Sequence, residues 1–213
     1  MISGTAVVMY ADTNPIDVLR AAPVLDRSAT LVLVSQLFPG DEVAEIGDAL
    51  LADAINPAEG VVYIGCFPGL DIVCGWQLVT ERPSEATERI VTGPDRRTAY
   101  LHAMHTVVDW CTFAIWTEGA LVRGLSVSAG SGIVEDVGDR LAFEEPYWAG
   151  EREECPDDEG AHPLAFHPVA LGRAALHALF GFRIEGHEEI DDVDPEIVPL
   201  VGYRVTPAVA AAA

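Results

Sequence analysis

Two histidines and an aspartate fall within residues 101–110, LHAMHTVVDW, as His102, His105 and Asp109. In a helix all three would share one face, and two imidazoles with a carboxylate can hold iron or zinc. In a strand successive side chains alternate, so His102 and His105 face opposite ways and form no common site. The next residues decide between the two. Residues 111–116, CTFAIW, read as one arm of a hairpin, and no glycine or proline separates them from the histidines. A helix that gives way to a strand is normally punctuated. The chain therefore reads as a strand over 97–105, a bend over 106–109 and a strand over 110–117. In that geometry Asp109 and a histidine hold a turn together. The spacing is also not that of HExxH, which needs histidines four apart and a glutamate beside the first. No metal site and no cofactor are expected.

A second set of reactive groups lies at strand ends: Asp12, Cys66 and Asp71. Cys66 stands beside the turn Phe67-Pro68-Gly69, and a cysteine nucleophile needs a lowered thiol pKa and a nearby base. His102 or His105 would supply that base if their strands were neighbours. The bland alternative is a buried cysteine before a tight turn. A third set is EEPYWAGE, residues 144–151. There Tyr147 and Trp148, with Glu144 and Glu145, can form a rim for a cationic or aromatic group, because ring faces attract cations. The alternative is an aromatic pair clamping a loop to the core. His162 and His167 read as turn residues and His177 as a helix-surface residue.

The elements that must position these groups are legible from periodicity and punctuation. Residues 5–10 read as an apolar strand, and Asn14 caps a helix that Pro15 opens and Pro23 ends. Residues 26–37 read as a helix stopped by Pro39-Gly40. Strands are expected over 42–46, 61–66 and 71–78, and a short helix over 84–91. The run WCTFAIW-TEG-ALVRGLSVS is a hairpin turning at Glu118-Gly119, and a strand over 133–137 comes after it. Residues 168–181 form the clearest helix, opened by Pro168 and closed by Gly181, with Leu171, Ala175, Leu176 and Leu179 on one side. A last strand covers 201–205. The pattern is α+β: one domain over 1–206, a mixed and largely antiparallel sheet, helices near both ends, and a disordered tail over 207–213. The acidic loop 149–162 is the only candidate boundary.

The chain carries 34 acidic residues against 12 arginines, has no lysine, and has a net charge of −22. That charge argues against binding to nucleic acid, where cations must displace counterions, and against anionic membranes. It favours a basic protein or a small ligand as partner. The cysteines at 66, 74, 111 and 155 include no CxxC pair. The N-terminus lacks a signal-peptide pattern and no run of apolar residues is long enough to span a bilayer, so a cytoplasmic protein is expected.

Several segments in combination, YAD, GCFPGLDIVC, LHAMHTVVDW, WTEGALVRGLS, EEPYWAGE, LAFHP and ALFGF, resemble an actinobacterial family of uncharacterised proteins known as a domain of unknown function. The likeness runs from Tyr10 to Thr206. It implies a full-length domain and a cytoplasmic actinobacterial protein, and it brings no activity or site residue. Two functional readings are open. The first is a non-enzymatic binding or regulatory protein, engaged through the loop around Tyr147 and Trp148. The second is a hydrolase-like enzyme using His102, His105, Cys66 and nearby carboxylates. The second requires at least three of Asp12, Cys66, Asp71, His102, His105 and Asp109 to meet in one pocket.

Overall fold

The computed structural model describes residues 4–92, 97–152, 163–184 and 190–208. Nine strands and six α-helices follow one another along the described chain: β1 (Gly4–Ala11), α1 (Pro15–Arg20), α2 (Arg27–Leu37), β2 (Glu42–Leu50), α3 (Leu51–Ala54), β3 (Val61–Phe67), β4 (Leu70–Cys74), α4 (Glu88–Thr92), β5 (Thr98–His105), β6 (Trp110–Thr117), β7 (Ala120–Ser128), β8 (Gly132–Val137), α5 (Glu145–Trp148), α6 (Pro168–Phe180) and β9 (Pro199–Thr206). The nine strands form one sheet in the order β2-β9-β3-β4-β1-β5-β6-β7-β8. Every neighbouring pair is antiparallel, so among the described residues the sheet is not mixed and has no parallel portion. Cys155, His162, most of the acidic loop 149–162 and the tail beyond Ala208 lie outside the described residues.

The sheet is covered on both faces, and strand alternation sorts the side chains between them. Along β1, Val7, Met9 and Ala11 enter the core shared with α6, whereas Val8 and Tyr10 enter the core shared with α2. Every residue of β1 is buried. This explains its near-continuous apolar run, which is usual for a central strand covered on both sides.

The helices start and stop where local chemistry dictates. Asn14 accepts from the Ile16 N–H, and Asp26 accepts from the Ser28 and Ala29 N–H groups at the head of α2. His167 caps α6 through Nδ1, which accepts from the Val169 N–H at 3.2 Å. Gly181 ends α6 in the left-handed region at φ 78°. The Glu118-Gly119 turn has φ 52° and 81°, as a two-residue hairpin between twisted strands requires.

Four expectations differ in detail. The strand from 71 ends at Cys74, because the Gly75 N–H turns to the Ala6 carbonyl and 76–78 form a 3-10 turn. The expected helix over 84–91 divides into a turn at Pro83–Glu85 and α4. The strand from 42 continues to Leu50 along β9, past a bulge at Gly47, where φ is 110°. The short helices α3 and α5 carry too few residues for periodicity to reveal them.

Candidate functional site

The histidine segment is a strand, a turn and a strand. His102 and Phe113 are paired across β5 and β6, as are His105 and Trp110. The two imidazoles diverge. His102 is fully buried on the α6 side, where its Nε2–H donates to the Gly172 carbonyl at 2.8 Å. A carbonyl only accepts, so Nε2 carries the proton and Nδ1 accepts from the Thr5 hydroxyl at 3.0 Å. Burial pulls the His102 pKa down to about 4, opposed by the Gly172 contact. His105 lies on the opposite face against Trp76, with ring centroids 6.0 Å apart. Asp109 occupies the turn at φ 44°, and its carbonyl accepts from the Ala129 N–H. Its carboxylate lies 3.5 Å from His167 Nε2, tying the turn to the head of α6.

Asp12, Cys66 and Asp71 come together on the other face. The register aligns Cys66 with Asp71 and Asp71 with Tyr10, so these side chains leave the sheet on the α2 side. Arg97, just before β5, joins them: its Nε is 2.9 Å from Asp12 Oδ1 and its Nη1 is 3.1 Å from Asp71 Oδ2. The Cys66 thiol hydrogen-bonds to Asp71. Burial first, and the Asp71 carboxylate second, push that thiol well above its ordinary range. It is a protonated donor, the reverse of an activated nucleophile. His102 and His105 are not part of this cluster, so neither of these imidazoles serves Cys66 as a base. The cluster borders a groove that α2 and the segment before it line with Leu25, Arg27 and Leu33.

The aromatic-acidic segment is packed inward. Glu144 is fully buried and takes a two-pronged hydrogen bond from Arg123, Nε to Oε1 at 2.9 Å and Nη2 to Oε2 at 2.6 Å. Asp136 completes the network 2.5 Å from Arg123 Nη1. The Trp148 ring already carries a cation, with the Arg140 guanidinium 4.1 Å from its centroid, and it meets Phe166 edge-on. Glu145 is exposed. Tyr147 is the member of the set that faces a cavity, and its hydroxyl donates to the Ala170 carbonyl at 3.1 Å.

That cavity has a volume of about 440 Å³ and lies between α6, α5 and the chain after α6. On α6 its wall includes Ala170, Arg173, Ala174 and His177, spaced so that they share one face of a helix, with Leu176 and Ala178 beside them. Met104, Phe143, Tyr147 and Ile184 supply apolar surface opposite. Arg152, Arg173 and Arg183 all line it, and no carboxylate does among the described residues. Behind them Asp192, nearly buried, accepts from His177 Nε2 at 2.7 Å and from Arg183 Nε at 3.2 Å. Arg183 Nη2 lies 3.3 Å from both ring nitrogens of His177, so the guanidinium lies against the imidazole.

Arg152, Arg173 and Arg183 belong to no recognisable motif, and His177 is a wall residue rather than a plain helix-surface one. The signal available in the sequence is the i, i+3, i+4, i+7 recurrence of 170, 173, 174 and 177 on the less apolar side of α6. Among the described residues no group of three or more histidine, cysteine, aspartate or glutamate side chains is arranged to hold a metal ion. No described helix is long and apolar enough to cross a membrane.

Comparison with curated proteins and with solved structures found no match. A family model does match, over residues 5–203, and that span is nearly the whole chain with all nine strands touched by it. The chain belongs to this family of unknown function, DUF6928.

Proposed function

We propose that the protein is a non-enzymatic binding protein whose ligand is a small molecule held in the cavity beneath α6. The observation that carries this is the cavity itself. At about 440 Å³ it falls within the range of small-molecule sites, and an apolar wall with a few converging polar groups is their usual make-up. It is also built on fixed elements. Glu144 and Arg123 anchor the α5 side, His102 anchors α6 to the sheet, and Asp192 holds His177 and Arg183. Tyr147 of the aromatic segment contributes to this site as a wall. The hydrolase-like alternative draws on the meeting of Asp12, Cys66 and Asp71, but the thiol there is held protonated and the histidines it needs are elsewhere.

A thermal-shift screen of small aromatic and aliphatic compounds tests the proposal, because a ligand that binds only the folded state raises the melting temperature. Some compounds should raise it in the native protein and fail to do so in Ala174→Trp, which fills the cavity. A screen in which no compound acts, or in which the active ones stabilise both proteins equally, sinks the reading.

A further inference from the structure

We infer that the outward face of α2 is a homotypic contact, on which a second copy of this chain docks with its own α2 antiparallel across a twofold axis. Residues 28–40 carry no aspartate, glutamate or arginine, and no charge-free run in the chain is longer. Uncharged runs are expected of strands buried on both faces. This one is a helix with a single buried side. Leu33, Val34 and Leu37 face the sheet, while Ser28, Leu31, Val32 and Ser35 share the opposite side and are exposed. Leu31 is 57% exposed and Val32 56%, side by side at the middle of the helix. Val24, before the helix, is also exposed and lines a groove with Val32, so the apolar surface continues past the helix end. Single apolar residues are ordinary on a surface, whereas adjoining ones mark a contact site.

Charge decides what covers this face. The chain carries −22, so two copies repel wherever their acidic surfaces meet. The outer side of α2 is where they can approach. At its margin Arg27 is paired with Asp48 and Glu45 of the same chain. A basic partner would find no carboxylate on this face, and an anionic lipid surface would meet the surrounding negative charge. A copy of the chain brings a face of the same neutral kind. The pattern is also self-complementary: Ser28, Leu31, Val32 and Ser35 run polar, apolar, apolar, polar from either end. An antiparallel pairing about a twofold sets each Leu31 against the other copy's Val32 and each Ser28 against the other's Ser35, with the helix dipoles opposed. With 11 residues the helix is about 16 Å long. That is short for the roughly 800 Å² per partner of a standard interface, so the dimer is a weak one, formed at micromolar concentration or above. Because α2 and α6 cover opposite faces of the sheet, this contact is separate from the cavity.

Sedimentation equilibrium of the full chain tests this, over about 1–300 µM protein in about 20 and about 500 mM sodium chloride. A monomer–dimer equilibrium is expected, with a dissociation constant several-fold lower in the higher salt, where screening weakens the repulsion. Leu31→Glu puts a charge from each copy at the axis and should weaken the dimer about tenfold or more. Val122→Glu changes another exposed apolar residue, on β7, and should leave the dimer unchanged. Both positions are exposed, so both variants should fold. In a Cys155→Ser background, mild oxidation should link Ser28→Cys to Ser35→Cys when the two variants are mixed and should link neither to itself, since Cys66, Cys74 and Cys111 are buried. A chain that stays monomeric throughout, a dimer indifferent to Leu31→Glu, or mixed variants that fail to link overturns the inference. So does a chain that dimerises only once residues 209–213 are removed. The Ala208 N–H donates to Asp41 just beyond α2, and that result would make the chain's own end the cover.

Discussion

At the scale of single residues, two buried groups have measurable consequences. His102 is neutral because burial disfavours its charged form, and its folded pKa lies at about 4 against an ordinary 6.5. Between those values the unfolded chain binds more protons than the folded one. The stability tied to this imidazole is therefore complete above pH 6.5 and is lost as pH falls toward 4. At about 1.4 kcal/mol per pKa unit, the loss is on the order of 3 kcal/mol. Denaturant unfolding between about pH 7 and pH 4 should show it, and His102→Gln should be less stable at neutral pH yet flatter across that window. A parallel pair of curves would rule out the imidazole as the titrating group. The cysteines offer a second check. Cys66, Cys74 and Cys111 are buried, and burial raises all three thiols. Peptide mapping after iodoacetamide treatment at about pH 7.5 should find them unmodified in the native protein and modified in denaturant. Rapid native alkylation of Cys66 would revive the nucleophile reading.

At the scale of elements, the contact of α6 with the sheet depends on a glycine. A Cβ at Gly172 would come within 2.9 Å of Cys111 Cβ and 3.0 Å of Met104 Sδ. The same residue's carbonyl receives the His102 hydrogen bond. Gly172→Ala should thus lift the helix and cost about 1–3 kcal/mol, as overpacking does, even though alanine favours helices. An increase in stability on urea unfolding would mean that α6 shifts freely. The α5 segment is tied down differently. Glu144, at its head, faces Arg123 with both charges out of water. Removing Glu144 leaves Arg123 buried with Asp136 as its remaining carboxylate in this network, so Glu144→Ala should cost about 3 kcal/mol, the lower end for breaking a buried pair. A loss under about 1 kcal/mol in the same assay would show that Asp136 or water compensates the Arg123 charge.

At the scale of the whole molecule, a charge of −22 on 213 residues sets the chain against itself. Self-repulsion destabilises a compact state, and salt screens it over about 10 Å at roughly 0.1 M. The melting temperature should rise between about 20 and about 500 mM sodium chloride, scanned by calorimetry. A fall would mean that ion pairs such as Arg97 with Asp12 and Asp71 outweigh the repulsion.

The elements of this fold are legible in the chain's local chemistry. Apolar runs and alternation mark β1, β3 and the β6–β7 hairpin, and capping residues and glycines mark α1, α2 and α6 at nearly their observed ends. The lack of punctuation between His105 and Trp110 is enough to make the two histidines diverge. Side-chain period, φ preference and end chemistry all act within a few residues, so a linear reading captures them. Which strands become neighbours is settled by packing. Asp12, Cys66, Asp71 and Arg97 meet because β1 lies between β4 and β5 and β3 lies beside β4. Met104, Tyr147, Arg173 and Arg183 meet because α6 lies across β5 and β6. Periodicity reports which face of an element is buried and says nothing of what covers it. A site assembled from side chains as far apart in sequence as Met104 and Ile184 therefore exists only once the helix has docked on the sheet.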